Sequence, residues 1–242
     1  MCTVSFYKYG HETIITSNRD ENLDRPMAIS PKKISLPDGW AYAPIDPKGG
    51  GTWFGVRQDG NVYVLLNGAT EAHLPALPYR KSRGAIMMEL LTKNDFVEDW
   101  EQIDLFQIEP FTIIAYTDNN LHHVYWDGTQ KTNNLLNPEV PHIWSSSTLY
   151  GPQVRPLRKQ WFMDFIKENN SGVNAKSLFD FHRNTQSNDF ENGLIIKRSN
   201  NISTKNITQC LIQQDAMTLT HLDLVENKKN IVYDTLNKTV VA

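Results

Sequence analysis

Paired runs of alternating apolar and polar residues, which stand at both ends of the chain, limit most strongly what this sequence can fold into. Thr3–Tyr7 and Glu12–Ser17 alternate on either side of a Tyr-Gly-His turn, and this pattern predicts an antiparallel hairpin. Further hairpins are predicted around Asp59-Gly60 and around Asp118-Asn119-Asn120. The last stretch, Ile207–Val241, returns to strand-like alternation. Strands are therefore expected to pair with their neighbours in sequence.

Helical patterns stand between these strands. Ser82 and Asn94 are predicted to cap two helices, and Val154–Lys167 and Ala175–His182 are predicted to form two more. The stretch from Pro26 to Gly51 is rich in Pro and Gly and predicts a loop. Antiparallel strand pairs with helices between them indicate an α+β fold, in which sheets pack together with helices outside. Because no repeat or linker divides the chain, we expect a single domain over residues 1–242.

Composition excludes several classes of partner. The chain has 24 basic and 27 acidic residues, a balance that favours neither nucleic acid nor an anionic membrane. No apolar run approaches the roughly 20 residues of a membrane-spanning helix, and no secretory signal opens the sequence. We therefore expect a cytoplasmic protein without an integral membrane segment. Two cysteines are too few for a disulfide scaffold or a cysteine-based zinc site, and no metal or cofactor is expected.

One of the two cysteines, Cys2, directly follows the initiator methionine. If Met1 is removed, the thiol and the free α-amine belong to the same residue. An α-amine titrates at about 7.7–8.0, so near neutrality part of it is unprotonated and can take the thiol proton. Cys2 is thus a candidate N-terminal nucleophile, although the same residue can simply be a small side chain on an edge strand. Cys210 lies in the middle of a predicted strand and is expected to be a packing residue.

Cys2 together with several motifs resembles the NRDE family, also called the transport and Golgi organisation 2 family. The motifs are Asn18-Arg19-Asp20-Glu21, Arg25-Pro26, Gly50-Gly51-Thr52-Trp53-Phe54-Gly55-Val56, Val64-Leu65-Leu66-Asn67 and Ser82-Arg83-Gly84. The resemblance implies an N-terminal nucleophile (Ntn) hydrolase fold, a four-layer αββα sandwich of two antiparallel sheets between helical layers. More distantly, the chain is similar to the choloylglycine hydrolase and penicillin V acylase group. Those proteins are amidases that use an N-terminal cysteine on carbon–nitrogen bonds other than peptides.

The resemblance also implies catalytic roles for Cys2, Arg19, Asp20 and Asn67. Arg19 would favour the thiolate, Asp20 would orient the α-amine, and Asn67 would donate to the oxyanion. Adjacent strand residues face opposite sides, so Arg19 and Asp20 can both reach Cys2 only if the strand ends or bulges there. Glu21 is the competing carboxylate, and its alternative role is a surface salt bridge to Arg25.

Substrate contacts are implied for a second group of residues, namely Asn18, Glu21, Trp53, Ser146 and Lys205. Two of these positions depart from the family pattern. Ser145-Ser146-Ser147 stands where Ser-Asn-Ser is usual, so Ser146 replaces an expected amide donor. Thr204-Lys205-Asn206 stands where Thr-Arg-Ser is typical, and lysine keeps the charge but loses the planar fork of arginine.

These features predict an N-terminal cysteine amidase that cleaves a non-peptide amide of a small molecule. The alternative is a non-catalytic binding or trafficking protein on the same fold, with haem or an acyl-lipid or acyl-CoA ligand. The remaining conspicuous residues predict structure only. His122 and His123 are adjacent and would face opposite sides of a strand, and Arg155, Arg158 and Lys159 predict a solvated helical face. The sequence leaves the oligomeric state open.

Overall fold

The structure, a computed structural model, describes residues 2–237, and of Cys2 and Ser171 it describes only the backbone. The predicted nucleophilic thiol and Met1 therefore lie outside the described part of the chain. The strands in chain order are β1 (Cys2–Tyr9), β2 (Glu12–Asn22), β3 (Ile29–Leu36), β4 (Gly39–Ile45), β5 (Phe54–Arg57), β6 (Val62–Asn67), β7 (Phe111–Thr117), β8 (Asn120–Trp126), β9 (Lys131–Leu136), β10 (His142–Ser145), β11 (Ile202–Gln213), β12 (Ala216–Asp223) and β13 (Lys228–Thr235).

The helices are α1 (Arg83–Leu91), α2 (Phe96–Gln102), α3 (Val154–Asn169) and α4 (Ala175–Asn184), and a 3-10 turn covers Asn170–Gly172. Ser82 caps α1 as predicted, because its side chain accepts a hydrogen bond from the backbone N–H of Ala85. At α2 the cap is Asp95, one residue after the predicted Asn94. Helix ends are defined by such side-chain bonds, so Asp95 sets the first turn of α2.

These elements form two antiparallel sheets, which confirms the predicted α+β class. The first sheet has the strand order β10-β1-β2-β11-β12-β13, and the second runs in sequence order from β3 to β9. The chain groups into two compact units. The first comprises the chain up to Arg25 together with Pro138–Asp234, and the second comprises Pro26–Asn137 and the chain from Thr235 onward. The single domain over residues 1–242 stays a prediction.

Four strands were not predicted from the sequence. The stretch expected to be a loop between Pro26 and Gly51 contains β3 and β4, and β9 and β10 also lie outside the predicted strands. These strands are mostly half-buried or exposed, so little hydrophobic alternation marks them. Pro31 within β3 weakened the signal further, and proline is tolerated there because β3 is an edge strand.

Each unit has its own apolar core. In the first, side chains from β1 and β2 pack against α3 and α4; the buried members are Tyr7, Ile14, Phe162, Val173, Leu178, Phe181 and Leu194. In the second, α1 and α2 cover the sheet, and two aromatic contacts fix α2. Tyr63 stacks on Phe96 with ring centroids 5.0 Å apart, and Trp100 meets Phe111 edge-on at 5.8 Å. Each sheet is thus anchored by helices of its own unit.

Candidate functional site

The β1–β2 hairpin positions the candidate nucleophile. Gly10 adopts a φ of 59° in the turn, and the strands then pair without a shift from Tyr9 opposite Glu12 to Cys2 opposite Arg19. β2 is buried from Thr13 to Asp20 and becomes half-buried at its end. The register therefore places the Cys2 backbone directly across from Arg19.

Cross-strand neighbours of Arg19 extend this pairing into a row across four strands. Arg19 lies opposite Asn206 of β11, and Asn206 lies opposite Asp223 of β12. On the same face, each row further from Cys2 is less polar. The next row contains Val4, Ser17, Thr208 and His221. The row after it contains Phe6, Ile15, Cys210 and Leu219. The polar end of this face is the row that begins at Cys2, which we call the Arg19 row.

The four residues Asn18 to Glu21 divide between the two faces of the first sheet. β2 continues through Asn22, so Arg19 and Glu21 share one face while Asn18 and Asp20 share the other. The irregularity in this region belongs to β11, where the register shifts between Thr204 and Asn206. The strand end or bulge in β2 that would turn both Arg19 and Asp20 toward Cys2 is therefore not seen.

On the Arg19 face, Glu21 lies between two guanidinium groups. Its carboxylate is 3.3 Å from Nη2 of Arg19 and 3.8 Å from Nε of Arg25, and its side chain is 17% exposed. Burial alone would raise the pKa of Glu21, but the charges of Arg19 and Arg25 and the backbone N–H of Asn22 hold that pKa below its usual range. Glu21 is thus an ionised group at the edge of the buried face. The predicted contact with Arg25 is present, and Arg19 shares it.

On the opposite face, both oxygens of the Asp20 carboxylate accept hydrogen bonds within the protein. The Tyr150 hydroxyl donates at 2.6 Å and the Thr204 hydroxyl donates at 2.6 Å. Asp20 is completely buried, and burial raises its pKa, although the Arg158 guanidinium partly opposes that shift. Asp20 therefore ties the end of β2 to β11 and to the segment between β10 and α3.

Arg158 in α3 is the cationic partner of this buried cluster. The prediction of a solvated basic face over Arg155, Arg158 and Lys159 is wrong for Arg158, which is fully buried. Its guanidinium stacks 3.5 Å above the ring of Tyr150 and donates to the Thr3 hydroxyl at 2.5 Å. It also donates to the backbone carbonyls of Asn192 and Gly193. A guanidinium can be buried here because these acceptors satisfy it.

Asn18 on the same face anchors α4. Its amide donates to the carbonyls of His182 and Leu194 at 3.0 and 2.7 Å, and its Oδ1 lies 2.8 Å from Nδ1 of His182. The other ring nitrogen of His182 lies 2.7 Å from the Ser5 hydroxyl. Burial lowers the pKa of His182 to about 3, so the imidazole is neutral near neutral pH. This serine–histidine–asparagine arrangement is completely buried and holds a helix on the sheet.

Lys205 and Ser146, the two positions that depart from the family pattern, both lie inside the first unit. The ammonium of Lys205, which is 1% exposed, donates to the carbonyl of Arg25 at 2.5 Å and contacts that of Leu23 at 3.4 Å. Lys205 is thus held by the chain segment that follows β2. Ser146 is also buried, and its hydroxyl lies 2.9 Å from that of Thr148.

Asn67 and Trp53 belong to the second unit. Asn67 ends β6 and is half-buried, and the N–H of the following Gly68 donates to the carbonyl of Pro110 at 3.0 Å. Trp53 is 4% exposed. Its carbonyl accepts from the N–H of Leu65 at 2.9 Å, which fixes the chain on either side of β5.

Among the described residues, no group of three or more His, Cys, Asp or Glu side chains is arranged to hold a metal ion. None of the helices in this part of the chain is long and apolar enough to cross a membrane.

Sequence reasoning singled out Cys2, Arg19 and Glu21 but assigned no role in this region to four buried polar residues of the first unit: Tyr150, Arg158, His182 and Asn206. The first three lie 130 or more residues from their partners in β1 and β2, so local patterns carry no signal for those contacts. Asn206 does carry a signal, because it belongs to the Thr204-Lys205-Asn206 triplet that the sequence comparison with the family singled out.

Solved structures with a similar fold cover nearly the whole chain. A variant of the conjugated bile acid hydrolase from Clostridium perfringens superposes with a TM-score of 0.55 at 10% identity, covering 99% of this chain and 98% of that one. A second variant of that hydrolase gives 0.56 at 10% identity, covering 100% and 99% of the two chains. The Caenorhabditis elegans orthologue of N-acylethanolamine-hydrolyzing acid amidase gives 0.57 at 12% identity, covering 86% of this chain and 92% of that one. These neighbours are Ntn hydrolases.

No curated protein sequence matches the chain. The family model described as Transport and Golgi organisation 2, by contrast, matches residues 1–242. The match covers both units, including the Arg19 row of the first and the glycine-rich motif Gly50–Val56 of the second. The chain, with its Ntn-hydrolase fold, therefore belongs to the Transport and Golgi organisation 2 family.

Proposed function

We propose that this protein is an N-terminal cysteine hydrolase that cleaves a non-peptide amide bond of a small molecule, with Cys2 as nucleophile after removal of Met1. The observation that carries the proposal is the register of β1 and β2, which sets Cys2 opposite the buried Arg19 in a chain with the Ntn-hydrolase fold. A guanidinium beside a thiol favours the thiolate, which is the reactive form.

The reaction begins when the α-amine of Cys2 takes the proton of its own thiol. The thiolate attacks the amide carbon, a carbon–sulfur bond forms, and the oxygen carries the negative charge of the tetrahedral intermediate. When the carbon–nitrogen bond breaks, the proton held by the α-ammonium passes to the leaving amine. Water then attacks the thioester with the α-amine again as base, which releases the carboxylic acid and restores the thiol.

We assign the carboxylate that orients the α-amine to Glu21 rather than Asp20. Glu21 shares a face with Arg19, is ionised and is partly exposed. Both oxygens of Asp20 already accept hydrogen bonds on the other face. Asn18 and Asp20 then support the fold beneath the site, whereas Arg19 and Glu21 serve the chemistry.

The other assigned roles come from the family resemblance. Asn67 is proposed to donate to the oxyanion, and Trp53, Ser146 and Lys205 to contact substrate. Of these, Lys205 is the weakest candidate for direct contact, because its ammonium already lies on two backbone carbonyls. The names of the structural neighbours support an amide as substrate, since one hydrolyses conjugated bile acids and another hydrolyses N-acylethanolamines.

The test is hydrolysis of acyl p-nitroanilides with short, medium and long acyl groups by three chains: wild type, Cys2→Ala and Cys210→Ala. Cys210 is the matched control because it is completely buried, and burial raises the pKa of its thiol. We expect turnover in wild type and Cys210→Ala and none in Cys2→Ala.

Full turnover by Cys2→Ala would contradict the mechanism. The carrier alternative predicts another outcome: no hydrolysis and no acylation of Cys2, together with tight binding of haem or acyl-CoA that Cys2→Ala leaves unchanged.

A further inference from the structure

Three buried polar atoms around Arg19 have no hydrogen-bond partner among the described residues. They are the hydroxyl of Ser17, the hydroxyl of Ser203 and the side-chain oxygen Oδ1 of Asn206. Their residues are 0%, 7% and 1% exposed. A buried polar atom without a partner is costly, and native folds keep few of them, most often where a ligand or water completes the bonding.

All three atoms belong to the face that carries Arg19. Ser17 precedes Arg19 by two residues on β2, Ser203 lies opposite Glu21, and Asn206 lies directly opposite Arg19. Asn206 therefore lies two strands from Cys2 in the Arg19 row, with Arg19 between them. The row lies where burial ends, because Glu21 and Ile202 just beyond it are half-buried.

The unpaired Oδ1 of Asn206 fixes what kind of ligand group can meet it. The Oδ1 of an asparagine only accepts, so the ligand group that meets it must carry an N–H or O–H. A secondary amide, the bond that the proposed function cleaves, carries such an N–H.

Building on the proposed hydrolase function, we propose that Asn206 is a specificity-determining residue that accepts the N–H of a secondary amide substrate. A tertiary amide or an ester of the same acyl group lacks that hydrogen and leaves Oδ1 unpaired. Sites that hydrogen-bond a substrate N–H discriminate against analogues lacking it, because their own buried group then stays unsatisfied. The substrate class is therefore an N–H-bearing amide.

The test compares an acyl p-nitroanilide with the p-nitrophenyl ester of the same acyl group. Asn206→Leu removes the acceptor, Asn206→Asp keeps an oxygen acceptor, and Asn230→Leu is the matched control. The Oδ1 of Asn230 is also buried without a described partner, but it lies on the edge strand β13, away from the Arg19 row. The readout is the ratio of kcat/KM for amide and ester, which does not depend on how much of the variant is folded.

We expect Asn206→Leu to lower the amide-to-ester ratio by about tenfold, as for loss of one hydrogen bond to the reacting group. Asn206→Asp and Asn230→Leu should keep the ratio within about threefold of wild type. An unchanged ratio in Asn206→Leu, or an equal ratio loss in Asn230→Leu, overturns the inference and leaves the proposed hydrolase function standing. Hydrolysis of neither compound by wild type overturns both.

A measurement on the wild-type chain keeps the inference testable if Asn206→Leu does not fold. N-methylation of the anilide nitrogen removes the N–H without changing the acyl group. After division by the ratio of their uncatalysed hydrolysis rates, wild type should cleave the N-methyl anilide at least about tenfold more slowly than the anilide that carries the N–H. Equal relative rates with and without the methyl group would overturn the assignment of Asn206.

Discussion

Asp20 is a charged residue of the Asn18-Arg19-Asp20-Glu21 motif that is held inside the fold. Its carboxylate is completely buried, accepts from two hydroxyl groups and lies near the Arg158 guanidinium. The residue before it and the residue after it face the other way, toward the Arg19 row. A one-residue offset on the strand thus puts Asp20 on the face opposite Arg19 and Glu21, the two residues that we propose to act in the chemistry.

We predict that Asp20→Asn lowers the free energy of unfolding by about 3 kcal/mol, because it removes the charge that compensates the buried Arg158. Urea unfolding monitored by circular dichroism measures this change. Asp215→Asn, in an exposed turn, is the control and should change stability by less than about 0.5 kcal/mol. Equal stability of the two variants would show that Asp20 has no structural role.

At the scale of elements, the hairpins and the four helices follow from the sequence because each is marked by local alternation or by a capping residue. β3 and β4 do not, because their half-exposed surfaces give little hydrophobic alternation and Pro31 interrupts the pattern. In the site, strand geometry predicts that Arg19 and Asp20 face opposite sides of the sheet. It does not predict that the helix residue Arg158 lies near Asp20, because the two residues are far apart in the sequence.

Helix α4 is attached to the first sheet through a histidine that stays neutral when buried. The pKa of His182 is about 3 in the folded protein against 6.5 ordinarily. Between pH 3 and pH 6.5 the imidazole binds a proton in the unfolded chain but not in the native protein. The free energy of unfolding therefore rises with pH across this range and decreases as the pH falls through it.

We therefore predict that His182→Gln flattens the dependence of unfolding free energy on pH between 6.5 and 3. Urea unfolding at a series of pH values measures the slope. His11→Gln, at the exposed turn of the first hairpin, is the control for loss of an imidazole. A slope in His182→Gln as steep as that of wild type would contradict the buried neutral histidine.

The contact between two sequence motifs of the second unit depends on glycine. A Cβ placed on Gly51 would lie 2.3 Å from the backbone carbon of Gly84, and the N–H of Thr52 donates to the Gly84 carbonyl at 3.3 Å. Backbone cannot move aside as a flexible side chain can, so the start of α1 would have to shift.

Gly51→Ala is expected to lower the unfolding free energy by about 1–3 kcal/mol through this overlap. Gly151→Ala is the matched control because a Cβ there meets nothing within 4 Å. Thermal or urea unfolding compares the two. If both variants unfold at the same temperature or urea concentration as wild type, the close approach of Gly51 to Gly84 does not constrain the fold.

For the whole molecule, the family match spans both units, whereas identity to the superposed hydrolases is only 10–12%. At that identity the fold is shared, and the activity has to be argued from this chain's own residues. The residues that carry the argument lie in the first unit, along the Arg19 row from Cys2 to Asn206. Because the fold rests on buried clusters elsewhere, Cys2→Ala is expected to unfold like wild type while losing hydrolysis.

The central claim is that Cys2 is the N-terminal residue and that Arg19 activates its thiol. Intact-mass measurement after brief iodoacetamide treatment at a series of pH values tests it directly, with Arg19→Gln as the second chain. We predict a mass without Met1, one modified thiol that is lost in Cys2→Ala, and a pH midpoint of modification about one unit higher or more in Arg19→Gln. Retention of Met1, or a Cys2 thiol with the same midpoint in both chains, would contradict the account.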